Sequence, residues 1–286
     1  MTEHRRPLIL AFVTDLYFSP RIESAAEGIG FQVRLIEVES QIAPFDPSSP
    51  EKQLAEHLEG QTGILIEKVT TWQPALMIFD LNNADIPWET WVLVLKSSPA
   101  TRRIPIMAFG SHMEVATMTR AKEVGTDVVL ARSAFVGDLP KLIRKYARIP
   151  DRGAIAEACE GELSELALEG IRLFNEGKYF EAHEELEHAW NEDSGAAKEL
   201  YRAILQVAVA YLQIERDNYR GAVKMFLRMR QWLEPLPDIC RGVDVAQLRG
   251  DARRVEEQLL ALGKDRVKEF NQKMFNPVHL IGDRMP

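Results

Sequence analysis

The sequence predicts an open α/β unit followed by an all-helical bundle. Residues 7–150 alternate short β-rich runs with helical patterns, the signature of a parallel sheet covered by helices. From Ala154 onward the β-branched runs vanish and helix formers dominate. A chain of 286 residues accommodates about two domains, each able to bury its own core.

The first strand is the apolar run over 8–13. Basic residues precede it, as in a secretory leader, but Asp15 ends it after too few apolar residues and no small-residue cleavage site follows. Further strands are read at 32–38, 75–79, 104–109 and 127–131. Helical patterns lie between and after them at 21–29, 52–59, 88–96, 113–123 and 135–146. The Pro/Ser-rich stretch 43–50 reads as a surface loop. Residues 149–153 (IPDRG) read as a linker, giving domains over 1–149 and 150–286.

The second half reads as helices only, over 154–176, 179–191, 196–216, 219–233, 245–262 and 264–274. Gly177 is a helix stop, Ser194 and Asn218 are starts, and Pro235 with Pro237 ends the fourth segment. Short connections make neighbours antiparallel. The turn motif around Ala182 echoes around Ala222, but a spacing of 40 residues is not that of a 34-residue helical repeat, so these are hairpins rather than a solenoid.

Composition excludes several classes. The net charge is −8, with −2 on the first part (16 basic, 18 acidic residues) and −6 on the second (19 basic, 25 acidic), so no basic field selects nucleic acid. The most apolar stretch, 203–212, contains a Gln and is about half a bilayer span, so no membrane partner is expected. Cys159 and Cys240 lie 81 residues apart without metal-site spacing, which reads as two reduced thiols in a cytoplasmic protein. Arg241 beside Cys240 could lower its pKa, although a small buried thiol is the ordinary reading.

In an open sheet of order 2-1-3-4-5, ligands bind beyond the carboxyl ends of strands one and three. Asp15 and Asp80 fall there. Two converging carboxylates bind a hard cation or share a proton, whereas a strand-end Asp alone is commonly a turn residue. Over 7–146 the chain resembles the receiver domain of response regulators, through LILAFVTD, MIFDLNN, IPIMAFG and AKEVGTDVVLARSAF. The resemblance implies a flavodoxin-like fold, a two-component or phosphorelay setting, Asp80 at the phosphoacceptor position and Asp15 in a magnesium-binding acid pair. Departures are Thr14 for the first acid of the pair, Gly110 at the switch Thr/Ser position with Ser111 adjacent, Arg132 for Lys, Ser133 for Pro, and Pro87 seven residues beyond Asp80. A degenerate receiver is therefore expected to dock or dimerise with protein partners. A working phosphoacceptor is the alternative.

The segment FNEGKYFEAHEELEHAW places Phe180, His183, Glu187 and Trp190 at offsets 0, 3, 7 and 10, an aromatic-capped stripe expected to face the core. The 184/188 pair falls on the acidic opposite side. A buried carboxylate must be neutralised, paired or coordinated. Three solutions stand open: a divalent metal held by His183 and Glu187; a structural network in which Glu187 pairs with Arg202 and His183 bonds Gln206; or acid/base chemistry. This segment, with RAILQVAVAYLQIERDNYRGAVKMF, resembles the DUF309 family over about 164–248, all-helical domains with an HxxxExxW motif suspected of metal binding. Gln206, Asn218, Gly221 and Ala222 match further family positions, but Leu212 and Gln213 stand where members often carry a His. The expectation is a regulatory or scaffolding protein whose helical half presents a polar pocket, with a metal-dependent hydrolase-like enzyme as the alternative.

Overall fold

The computed structural model describes residues 6–42 and 60–282; the loop read at 43–50 and the helix read at 52–59 lie outside them. The chain divides into two compact units, Met1–Ile149 and Pro150–Pro286.

The first unit runs β1 (Leu8–Phe12), α1 (Ser19–Glu27), β2 (Gln32–Leu35), α2 (Gly60–Trp72), β3 (Leu76–Asp80), α3 (Trp88–Ser97), β4 (Ile106–Gly110), α4 (Val115–Glu123), β5 (Val128–Ala131), α5 (Arg132–Gly137) and α6 (Leu139–Tyr146). The strands pair in parallel in the order β2-β1-β3-β4-β5, the receiver-like, flavodoxin-like topology. β1, β3 and β4 are buried along their whole length, so LILAF, LMIFD and IMAFG are unbroken apolar runs. Alternate residues feed opposite cores. Leu10, Phe12, Met77 and Phe79 pack with Trp91, while Ile9, Ile78 and Phe109 pack with Ile22, Phe135 and Ile143. Phe12 stacks on Phe79 at 4.2 Å and Phe109 on Phe135 at 4.0 Å between ring centroids. The order reverses between β1 and β3, which opens the crevice containing Asp80.

Two elements of this unit differ from the sequence reading. Helix α2 was not expected, because its Gly-bearing, β-branched run GQTGILIEKVTTW lacks a charged outer stripe. The helix read at 135–146 is two helices. Pro140 sits in the first turn of α6, and the Asp138 carboxylate caps that turn by accepting the Lys141 N–H at 3.3 Å.

The second unit runs α7 (Arg152–Cys159), α8 (Glu165–Asn175), α9 (Tyr179–Glu192), α10 (Glu199–Glu215), α11 (Tyr219–Leu233), β6 (Ile239–Cys240), β7 (Val243–Asp244) and α12 (Val245–Leu262). The helix expected at 154–176 is broken into α7 and α8, with Ser164 accepting the Ala167 N–H at 3.2 Å to start the second. The reading of helices only is corrected by the antiparallel pair β6–β7. The segment expected as a helix at 264–274 forms the 3-10 turns Lys264–Glu269 and Gln272–Met274.

The two cysteines correct the reduced-thiol expectation: Cys159 and Cys240 form a disulfide, with Cα atoms 4.4 Å apart. Spacing in sequence is blind to this pair, because the fold carries the end of α7 back to β6. The argument from thiols to a cytoplasmic location falls with it. No helix of the described residues is long and apolar enough to cross a membrane.

The C-terminal tail, which shows no motif in the sequence, straps the bundle. Asn175 holds both backbone groups of Val278, donating to its carbonyl at 3.0 Å and accepting its N–H at 2.7 Å. Phe275 stacks on Tyr211 at 4.2 Å, and Asn276 donates to the buried Asp251 at 2.8 Å.

Candidate functional site

Asp80 ends β3 at 2% exposure. Burial pushes its carboxyl above the usual carboxylate range; Asp15 and Glu114 add to the rise, against the Asn82 amide and Arg132. Oδ1 accepts the Asn82 N–H at 3.0 Å and lies 3.8 Å from Nη2 of Arg132, the first residue of α5. The same guanidinium lies over the Phe18 ring at 5.3 Å, and its Nε is buried without a partner among the described residues. The group that faces the Asp80 carboxylate is thus the guanidinium of Arg132, half-buried over an aromatic ring.

The other predicted crevice residues have local duties. Asp15 accepts the Tyr17 N–H at 2.8 Å, and its carbonyl receives the Phe18 and Ser19 amides, so it is a turn residue that starts α1. Thr14 is exposed. Gly110 ends β4; a Cβ there would lie 3.3 Å from both Cβ and Cδ1 of Leu81, so Leu81 occupies the approach to this position. Ser111 donates its N–H to the Asn82 side-chain oxygen at 3.2 Å, and its hydroxyl accepts the Met113 N–H at 3.3 Å. Asn82, not singled out in the sequence, bridges the two loops, since its amide also donates to Glu114 at 2.7 Å.

Magnesium requires near-octahedral oxygen ligands. Here one acid of the pair is Thr14, an Asp15 oxygen is turned to its own loop, and a guanidinium stands beside Asp80. Among the described residues no three His, Cys, Asp or Glu side chains gather in a metal-holding arrangement. The residues present do not fit the expected ion, and no step is routed through it.

In the helical unit the inward stripe of α9 is corrected by one position. The buried residues are Tyr179, Ala182, Leu186 and Ala189; Phe180 is 49% exposed and Glu187 is exposed. The reason is close helix packing. A Cβ built on Gly170 of α8 would lie 2.7 Å from Leu186 Cγ, so it is the Leu186 face of α9 that seats against α8. Glu187 therefore needs no buried partner, and the expected Glu187–Arg202 pair is replaced by Glu199–Arg202 at 3.7 Å.

His183 and Trp190 flank the buried stripe, half-buried. Arg202 of α10 lies over the Trp190 ring at 4.5 Å and over the Trp232 ring of α11 at 4.1 Å, which makes a tryptophan–arginine–tryptophan sandwich across three helices. Lys198 also lies over the Trp190 ring, at 5.4 Å. Four polar atoms of this region, His183 Nδ1, Trp190 Nε1, Glu199 Oε2 and Gln206 Oε1, are buried without a hydrogen-bond partner among the described residues. Native interiors satisfy such atoms with water, an ion or a ligand. Trp232 and Lys198 were missed in the sequence; Lys198, four residues before Arg202, had that spacing as its signal, whereas Trp232 lies on another helix and had none.

A separate cavity of about 250 Å³ is lined by Leu163, Leu168, Arg241, Gly242, Leu280 and Ile281, with Glu162 at its edge. The one cation in its lining is committed: Arg241 pairs with Asp193 at 2.5 Å and donates to Tyr201 and to the Ala158 carbonyl.

Comparison with known proteins follows the division into two units. The first unit is similar in structure to the phosphorylated cyanobacterial phytochrome response regulator (12% identity, 49% of this chain and 90% of that chain, TM-score 0.34). It is also similar to a chemotaxis response regulator of Vibrio cholerae (12%, 49% and 98%, TM-score 0.36) and to a response regulator receiver domain from Rhodospirillum rubrum (18%, 47% and 89%, TM-score 0.36). No curated protein matches the chain. Residues 167–225 match the family described as a domain of unknown function, DUF309, so the chain joins a unit of receiver-like topology to a segment similar to that family.

Proposed function

We propose that the protein is regulatory: its receiver-like unit docks a protein partner or a second copy without being phosphorylated, and its helical unit presents a polar pocket. One observation carries the first half. Asp80 is sequestered, with its charge answered by Arg132 and the Asn82 amide, while Gly110 offers no hydroxyl and Leu81 fills the space beside it. A phosphoryl group would lose both the ion that offsets its charge and the hydrogen bond that couples it to helix movement. The docking role is supported by apolar residues in the loops after β1 and β4, where Leu16 is 88% and Met113 78% exposed.

Trp88 lies at the start of α3, eight residues past Asp80, and reports on the crevice. Its fluorescence is expected to stay unchanged when magnesium and beryllofluoride, a phosphoryl mimic, are added together. A saturable change that disappears in Asp80→Asn would establish the phosphoacceptor reading instead.

A further inference from the structure

From the sandwich around Arg202 we infer that the helical unit binds a small oxyanion, the carboxylate or phosphate group of its ligand, in the groove between α9, α10 and α11. This deepens the pocket reading and rests on it. The guanidinium is planar, and two indole rings cover it at 4.5 and 4.1 Å, so ring stacking fixes its plane while its N–H edge is left for a ligand. Among the described residues its one polar partner is Glu199, at 3.7 Å, longer than a hydrogen bond. A fork of N–H donors held in this way matches the paired oxygens of a carboxylate or phosphate.

The second observation is independent of the arginine. The Trp190 indole N–H is a buried donor with no acceptor, and His183 Nδ1 and Gln206 Oε1 are buried on the same helical hairpin with no partner. Trp190 thus offers a second donor beside the guanidinium, and His183 and Gln206 can bond a hydroxyl or protonated oxygen of the same molecule. Lys198, over the same ring, adds positive charge and has no carboxylate partner among the described residues, while Glu199 would lose its long contact with Arg202 when the oxyanion arrives. Arg202, His183, Trp190 and Gln206 are all half-buried, so part of each side chain stays in contact with solvent.

The test is titration of the full ¹⁵N-labelled chain with inorganic phosphate and, separately, with acetate. The readout is the Trp190 indole N–H cross-peak, identified by its loss in Trp190→Phe. A saturable shift at millimolar concentration with either anion is expected, and which anion acts identifies the group as phosphate or carboxylate. Arg202→Lys keeps the charge and removes the fork, so it should weaken binding by about tenfold or more. Gln206→Leu, read by calorimetry, provides a second variant if Arg202→Lys fails to fold, and it too should weaken binding. No saturable shift, or equal affinity in the variants, overturns the inference. Zinc added to the same sample separates the two failures: a shift of the His183 ring signals with both anions inactive would retain a pocket and reject the oxyanion, whereas silence in all arms rejects the pocket as well.

Discussion

Asp80 carries a charge that the fold makes expensive. Its carboxyl is held above the ordinary value of 3.8, chiefly by burial, so the folded chain keeps a proton that the unfolded chain releases. For a carboxyl raised in this direction, stability is lost as pH rises through the unfolded value and then the folded one, and the full cost is reached above the folded value. Asp80→Asn should therefore stabilise the first unit at pH 7, by on the order of 1 kcal/mol, with the gain shrinking as pH falls toward the unfolded value. Urea titrations of both proteins at neutral and acid pH check this. Destabilisation at pH 7 would mean that the Arg132 contact outweighs the burial cost. Gly110 is constrained from the other side, since a side chain there comes within 3.3 Å of Leu81, which is buried just after β3 and must shift to make room. Restoring a hydroxyl at that position thus requires repacking as well as substitution.

At the level of elements, the α8–α9 contact depends on Gly170. A Cβ at this position meets Leu186 Cγ at 2.7 Å and the Leu186 backbone nitrogen at 3.2 Å, so a methyl group must push the helices apart. Gly170→Ala should cost about 1–3 kcal/mol despite the better helix propensity of alanine, measured by chemical denaturation. A neutral or stabilising effect would show that the helices slide freely. Helix α7 is tied differently, because Cys159 is its only buried residue. Apart from the disulfide, it is anchored to β6 by the Arg241 N–H on the Cys159 carbonyl at 2.7 Å. Reduction with a dithiol should lower the stability of the helical unit by about 2–4 kcal/mol and speed amide exchange in α7 ahead of α9 to α11. Uniform exchange across the bundle would contradict that order.

Across the whole molecule, what could be read in the sequence follows from what each signal measures. The β1, β3 and β4 runs are apolar on both faces, so continuous hydrophobicity located them within two residues and the crossover order followed. α11 and α12 were placed to the residue: Asn218 and the prolines after Leu233 bound the first, and Asp244 and Gly263 the second. The α9 stripe was misread because size stood in for burial: its core positions include Ala182 and Ala189, chosen by the close approach at Gly170, while the larger Phe180 stays outside. The disulfide, the tail strap and the pairing of Arg202 with Trp232 join residues far apart in sequence, and no local pattern encodes them. Of the candidate sites, His183, Trp190, Arg202 and Gln206 were recognised by type, but their arrangement depends on the antiparallel packing of three helices.

The proposed role requires Asp80 to be a sequestered acid rather than a phosphate carrier. Intact-mass measurement after incubation with acetyl phosphate and magnesium is its most direct test. The unmodified chain alone is predicted. A phosphoryl adduct that forms on the wild type and is absent in Asp80→Asn would contradict it.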